Sequence, residues 1–306
     1  SNISDNYHFS SSSSYAGLSI HKIQCFGVRS NTLIVKNSTI SDNCNRDLSF
    51  YSTAMSSSYN TWHWSCSGSS NELGNQYCFR IDAFGISGTN VQITNSSINN
   101  NSKISIIDST NSGSYDQYRN VFVRNFGILA FDGGLIIDDS TVVDNSESVS
   151  GYYTTYTTSY GMIMRNRNIA IIDSSTNSYI NESVVTGAAC SNGGYSYNRC
   201  QPTYNLYVEN AKNVNLINSL TDNSEEFDGT GGIYRYWNVD VDVYDLDNQS
   251  TPNATVVLKE SNGFAIGSQN TGSGGTVRFV VKEYYEDASS KTYFTPHNLS
   301  ISVNGF

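Results

Sequence analysis

Leu33-Ile34-Val35-Lys36-Asn37-Ser38-Thr39-Ile40 decides the fold, because the same pattern returns along the chain. It recurs as Val91-Gln92-Ile93-Thr94-Asn95-Ser96-Ser97-Ile98 and as Leu135-Ile136-Ile137-Asp138-Asp139-Ser140-Thr141-Val142. Two weaker copies are Ile169-Ala170-Ile171-Ile172-Asp173-Ser174-Ser175-Thr176 and Val214-Asn215-Leu216-Ile217-Asn218-Ser219-Leu220-Thr221. Positions one and three are apolar in every copy, and position five is Asn or Asp. Apolar alternation at period two with β-branched residues reads as a strand buried on one face. The Asn/Asp-Ser step turns the chain, since Asn and Asp tolerate left-handed backbone and bond their own main chain.

Upstream of the first three copies stands a second strand, ending in Phe26-Gly27, Phe84-Gly85 and Phe126-Gly127. Each unit therefore predicts strand, turn, strand, Asn-Ser corner and a short third strand at Ile40, Ile98 or Val142. No helical period survives in this region. Short strands stacked on their equivalents describe a parallel β-helix, and we expect one over 1–236. First positions lie 58, 44, 34 and 45 residues apart, so the excess is expected to leave as Ser-, Tyr-, Asn- and Gly-rich loops at 10–15, 48–75, 109–118, 146–160 and 187–204. Asn37, Asn95, Asp139, Asp173 and Asn218 are expected to stack at one corner, where Asn side chains can bond in a ladder.

Ser1-Asn2-Ile3-Ser4-Asp5-Asn6 matches Ser38-Thr39-Ile40-Ser41-Asp42-Asn43 at all but one position, without the front half of the repeat. An uncapped end of a stacked-repeat protein attracts a covering partner, so these six residues are the expected assembly site with another copy. A chain that begins at Ser1 is also expected to be processed or trimmed.

At Trp237 the texture changes. Val239, Val241 and Val243 alternate with Asp240, Asp242 and Tyr244, then 248–253 reads as a turn, 254–259 as a strand, 267–275 as a Gly/Ser hairpin and 276–282 as a strand. This predicts a small antiparallel β-sandwich over 237–306. VDVDVYDLDNQSTPNATVVL from Val239, TGSGGTVRFVV from Thr271 and YFTPHNLSISVNGF from Tyr293 resemble the carboxypeptidase-regulatory-like or transthyretin-like sandwich family. The resemblance covers about 70 residues and implies a non-catalytic accessory module. The whole chain resembles archaeal or bacterial surface glycoproteins that carry a right-handed parallel β-helix.

The 306 residues carry a net charge of −10 with only 14% charged residues, which disfavours a nucleic-acid partner. No apolar run reaches the roughly 18 residues of a membrane span. Six cysteines fit an oxidising compartment, with Cys190–Cys200 and Cys44–Cys66 each bracketing a loop as expected disulfides. Cys25 and Cys78 sit on core strands out of register. No CxxC or His-rich spacing points to a metal, and no cofactor is expected. N-glycosylation sequons fall at Asn2, Asn37, Asn95, Asn100, Asn181, Asn248, Asn253 and Asn298, with Asn253 and Asn298 reading as the most accessible.

Paired carboxylates for glycoside cleavage could come from Asp138, Asp139 and Asp173, and a lyase base from Arg124, Arg165 or Arg167. The blander reading is turn chemistry and surface charge. His8, His21, His63 and His297 are scattered and form no triad motif. Asp240, Asp242, Asp245 and Asp247 lack the glycine and terminal Glu of an EF-hand. Tyr152, Tyr153, Tyr156 and Tyr160, and Tyr195, Tyr197, Tyr204 and Tyr207, crowd two insertions as contact surface. The expectation is a non-enzymatic, extracellular, glycosylated structural subunit that polymerises head-to-tail into a filament or surface layer. The competing expectation is a carbohydrate-binding or carbohydrate-cleaving β-helix, such as an adhesin, a tailspike-like protein or a polysaccharide lyase.

Overall fold

A computed structural model describes residues 2–4, 8–12, 21–44, 46–52, 79–102, 104–110, 120–153, 161–191, 198–200, 203–211, 213–222 and 225–303. Among them there is no helix, and the fold is all-β with mixed sheets. The first repeat holds β1 (Asn2–Ser4), β2 (His8–Ser12), β3 (His21–Lys36), β4 (Thr39–Ser41) and β5 (Arg46–Ser52). The second holds β6 (Phe79–Thr94), β7 (Ser97–Asn99) and β8 (Ile104–Thr110). The third holds β9 (Asn120–Phe131), β10 (Leu135–Asp138), β11 (Thr141–Val143) and β12 (Glu147–Tyr153). Next come β13 (Gly161–Ile172), β14 (Ser178–Asn181), β15 (Val184–Thr186) and β16 (Ala189–Ser191). β17 (Asn198–Cys200), β18 (Tyr204–Glu209), β19 (Val214–Ile217) and β20 (Glu225–Asp228) complete this region.

Equivalent strands of successive repeats pair in parallel. Leu33, Val91 and Leu135 lie in register on β3, β6 and β10, as the repeat predicts. Ile3, Ile40, Ile98, Val142 and Val185 line up on β1, β4, β7, β11 and β15. A third parallel set, β5–β8–β12–β16, follows the second corner. The alternation explains the burial: Ile93, Leu135, Ile137, Ile98 and Val142 are fully buried in one core, while Ile34 and Ile136 between them point outward.

Three expectations are corrected. The fourth copy of the repeat is not Ile169–Thr176 but Ser178-Tyr179-Ile180-Asn181-Glu182-Ser183-Val184-Val185, whose Ile180 pairs with Ile137. Ile169 pairs instead with Ile128 and Leu206, one strand earlier in the unit. The mistake has a physical cause. Asp132, Asp173 and Asn210 turn that earlier corner with φ of 61°, 52° and 51°, the same left-handed geometry that Asn37, Asn95, Asp139, Glu182 and Asn218 adopt at the next. Second, residues expected as loops begin as strands: β2, β5, β8, β12, β16 and β17 occupy parts of those segments, and Tyr152 and Tyr153 belong to β12. Of their other residues only 146, 187–188 and 203–204 are among the described ones.

The third concerns the C-terminal region of β21 (Gly232–Asp242), β22 (Thr255–Lys259), β23 (Ala265–Asn270), β24 (Thr276–Asp287), β25 (Lys291–Tyr293) and β26 (Asn298–Ser302). The hairpin expected at 267–275 turns earlier, at 260–264, where Glu260 N bonds Phe264 O, and 265–270 is itself a strand. β22 lies between β23 and β26, all antiparallel. β21 crosses the expected boundary at 236: it pairs in parallel with β19 over Ile233–Tyr236 and antiparallel with β24 along its whole length. Val241, Val277, Phe279 and Val281 of this sheet pack against Val256 and Leu258 of β22 in a second core. Among the described residues none of the sheets closes on itself.

Candidate functional site

The corner residues do structural work in ladders that run along the stack. The Ser38 N–H donates to Ser96 Oγ (3.1 Å), and Ser96, Ser140 and Ser183 repeat the bond to Ser140, Ser183 and Ser219. Each hydroxyl in turn donates to the carbonyl two residues back. This is why position six of the repeat is Ser. A second ladder is fully buried: Asn43 Nδ2 donates to Asn101 Oδ1 and Asn101 Nδ2 to Asn145 Oδ1, both at 2.9 Å.

That ladder accounts for the Phe-Gly pairs. A Cβ on Gly27, Gly85 or Gly127 would fall within 2.5 Å of the Cβ of Asn43, Asn101 or Asn145 respectively. The strand has no room for any side chain opposite the amide. In the next repeat Asn168 stands in register with Gly127, and the facing corner has shrunk to Gly187-Ala188. The ladder then continues on the other side, Asn168 Nδ2 donating to Asn205 Oδ1 at 2.8 Å. The phenylalanines beside the glycines stack along the same column, Phe26–Phe84 and Phe84–Phe126 at 5.4 and 5.5 Å between centroids. Arg167 takes the next place, fully buried and ion-paired to Glu226.

The predicted acids are not brought together as a catalytic pair. Asp138 accepts from Asn181 Nδ2 at 2.8 Å, whereas Asp173 lies at the other corner and accepts from Asn210 Nδ2 at 2.9 Å. Glu182, not Asp173, follows Asp139 in its corner column. Arg124 and Arg165 are in register on β9 and β13, with the Arg124 guanidinium 5.9 Å from the Phe84 ring centre. Asp240 pairs with Arg278, Asp242 accepts from Thr276, and Asp245 caps the turn at Asp247 and Gln249. The Arg278 guanidinium holds the Asp240 carboxyl below its usual range. Among the described residues no cluster of three metal-ligand side chains occurs.

One cysteine pairs differently from expectation. Cys44 is bonded to Cys25, with Cα atoms 5.8 Å apart, not to Cys66, because β3 brings Cys25 to the corner where Cys44 turns. Cys66 and Cys78 lie outside the described residues. Cys190 is engaged in a disulfide; the side chain of Cys200 lies outside the described residues. Among the sequons, Asn37 and Asn95 are exposed corner residues joined by a 2.7 Å amide bond. Asn100 donates to Asp42 and Asn181 to Asp138. Asn248, Asn253 and Asn298 are exposed in the C-terminal region, the first two on turns with φ near 60°. The side chain of Asn2 lies outside the described residues, as do Ser1, Asp5 and Asn6 of the expected assembly segment; Asn2–Ser4 is β1.

Two features had no clear signal in the sequence: one is assembled by the junction of the two regions, the other by facing strands within the C-terminal region. On the outer face Tyr234, Tyr236 and Phe294 gather around Lys282, whose Nζ lies 4.8, 5.9 and 4.6 Å from their ring centres, with Tyr285 packed on Tyr234 and Tyr179 near Tyr236. Burial, followed by Tyr234 and Tyr179, raises the Tyr236 phenol above its ordinary value. Inside the C-terminal region a cavity of about 410 Å³ opens between Trp237, Val239 and Val241 on β21 and Leu258, His297 and Leu299 on the facing side. The Trp237 indole N–H donates to Glu283 there, and both His297 ring nitrogens are buried without a partner among the described residues. No protein family, curated protein or solved structure matches this chain.

Proposed function

We propose that the protein is an extracellular structural subunit that self-assembles. In this reading the parallel strand sets are the faces of one β-helix, and 237–306 is a transthyretin-like sandwich attached to it. The observation that carries the reading is the ladder system: the serines, asparagines and aspartates of the corners bond their counterparts in neighbouring repeats, so the chain's polar chemistry is committed to holding a rod together. The Cys25–Cys44 disulfide favours an oxidising, extracellular setting. Exposed sequons at Asn248, Asn253 and Asn298 favour a glycoprotein. Negative-stain microscopy of native material should show filaments or a layer. Dispersed monomers at every concentration in sedimentation would overturn the reading.

The tyrosine face favours a second reading, carbohydrate binding. Phenol rings offer flat apolar surface with a polar edge, and Tyr179 and its neighbours present four of them on one face. A glycan array, followed by Tyr234→Ala and Tyr236→Ala, tests it: binding that both substitutions abolish supports a sugar platform, and a blank array removes it.

A further inference from the structure

The C-terminal region is a sandwich with one strand missing. Leu299 and Ile301 pair across β26–β22 with Leu258 and Val256, so all four point to the same, inner face. Yet Leu258 and Val256 are 4% and 0% exposed, while Leu299 and Ile301 are 47% and 46% exposed. The facing sheet simply stops short of them. Its last strand there is β21, whose inner residues Trp237 and Val239 are only partly buried although their β24 partners, Val281 and Phe279, are buried. β19 covers the outer edge of β21 only as far as Tyr236, and among the described residues nothing pairs with that edge from Trp237 to Asp242. Beneath that edge lies the cavity, with the unpartnered imidazole of His297 on its wall.

We propose that this slot receives a strand from a second copy of the chain, the 31–36 stretch of its β3. The proposal rests on the assembly reading and names its contact. An open strand edge above uncovered apolar residues is what β-strand addition requires. β3 has the complementary pattern. Its 31–36 stretch carries Lys36 and no acid, whereas the β21 edge carries Asp242 beside Asp240, the latter paired with Arg278. Among the described residues its 31–36 stretch pairs on one side only, with β6. Facing also agrees. Val35 points to the core and Ile34, at 60% exposure, points out, just as Val239 and Val241 point in and Asp240 points out. Laid alongside β21, the strand extends the facing sheet above Leu299 and Ile301, with the partly buried Leu33 on the side that faces them, and sets Lys36 among the aspartates. β26 itself has no charged residue or proline to repel such a neighbour.

Sedimentation equilibrium of the full chain and four variants tests this, with thermal melts confirming that each is folded. Leu299→Asp is expected to weaken association about tenfold or more, and Lys36→Asp and Asp242→Lys each to weaken it similarly, because like charges would then meet. The Lys36→Asp/Asp242→Lys pair is expected to restore it. If Leu299→Asp associates like the parent, or the paired exchange does not recover what the single changes lose, the slot is not the contact, although assembly by another surface stands. If the parent chain is monomeric throughout, the assembly reading itself fails.

Discussion

At the scale of single residues, a glycine and an asparagine on facing strands behave as one unit. Gly127 is bare because the Asn145 amide lies against it, and Asn145 is buried because its Oδ1 accepts both the backbone and the side-chain N–H of Asn101. Gly127→Ala should cost roughly 1–3 kcal/mol, the usual range for forcing atoms into a filled core. Asn145→Ala should cost about 1–3 kcal/mol by stranding the buried backbone N–H of Asn101, whose side-chain amide keeps the carbonyls of Ile40 and Asn99. The double variant should cost less than the sum, since removing the amide opens the space that the new methyl needs. Denaturant melts of the four proteins check this, and simple additivity would show the two sites to be independent. A second residue-scale case is Asp287, whose carboxylate accepts from the hydroxyls and backbone N–H groups of Ser289 and Ser290. The Ser289 hydroxyl and N–H lead in lowering its pKa to about 2. A depressed folded-state value means that the contribution is present above the unfolded value of about 3.9. It is lost as pH falls through the folded value. The 287–290 turn should therefore hold its amide chemical shifts down to about pH 3 and lose them near pH 2, while Asp287→Asn should show no such acid transition.

Among the elements, the first repeat differs from those behind it. β3 is met by β2 running antiparallel and is tied by Cys25 to the Cys44 corner. The disulfide closes a loop with a sequence separation of 19. Closing a loop of that size stabilises by about 3 kcal/mol in the chain-entropy account. Paired replacement Cys25→Ser/Cys44→Ser should lower stability by up to about that amount. Hydrogen exchange should speed first in β3 and β4, leaving the β9 and β13 amides protected. Equal acceleration in β13 would mean that the disulfide acts on the whole stack instead of on its first repeat. The junction is the other distinctive element. β21 belongs to both cores, since Ile233 packs with the stack and Val241 with the C-terminal core, and β24 covers it along its full length.

For the whole molecule, stability is expected to be graded. In stacked repeats each unit gains its stability from its own folding and from its neighbours, so interior units are the best protected. Ile86, Ile128, Ile137, Ile169 and Ile180 are fully buried with partners on both sides, and amides of β6, β9, β10 and β13 should exchange slowest. β25 and β26, with every residue exposed, should exchange fastest among the described strands, β26 only while no second copy covers it. Comparing exchange at low and high protein concentration separates these cases: protection of β26 that rises with concentration accords with the slot as an interface. Alkaline behaviour is a further whole-molecule consequence. Burial raises the phenols of Tyr236, Tyr284 and Tyr285, so the folded chain retains protons that the unfolded chain releases, and stability should decline as pH rises past about 10. Ultraviolet titration against a chemical melt at each pH checks the sign.

The amino-acid pattern by itself determined the all-β character, the parallel register of Leu33, Val91 and Leu135, and the left-handed corners at Asn37, Asn95 and Asp139. These are local properties: alternation selects strands, and Asn or Asp followed by Ser selects the turn. Position-by-position likeness of three repeats carries the register with it. Local signals could not tell one corner from the next, because each uses the same turn chemistry; this is how Asp173 was placed in the column that Glu182 occupies. They could not pair Cys44 with Cys25, since the approach of those residues depends on where β3 lies across the repeat. The glycines after Phe26, Phe84 and Phe126 were visible as a pattern, but their reason, the asparagine ladder on the opposite wall, exists only once the wall is built. The same holds for the slot above Leu299 and Ile301. A strand's own sequence states which side is apolar, and only the packing of two sheets decides whether anything covers it.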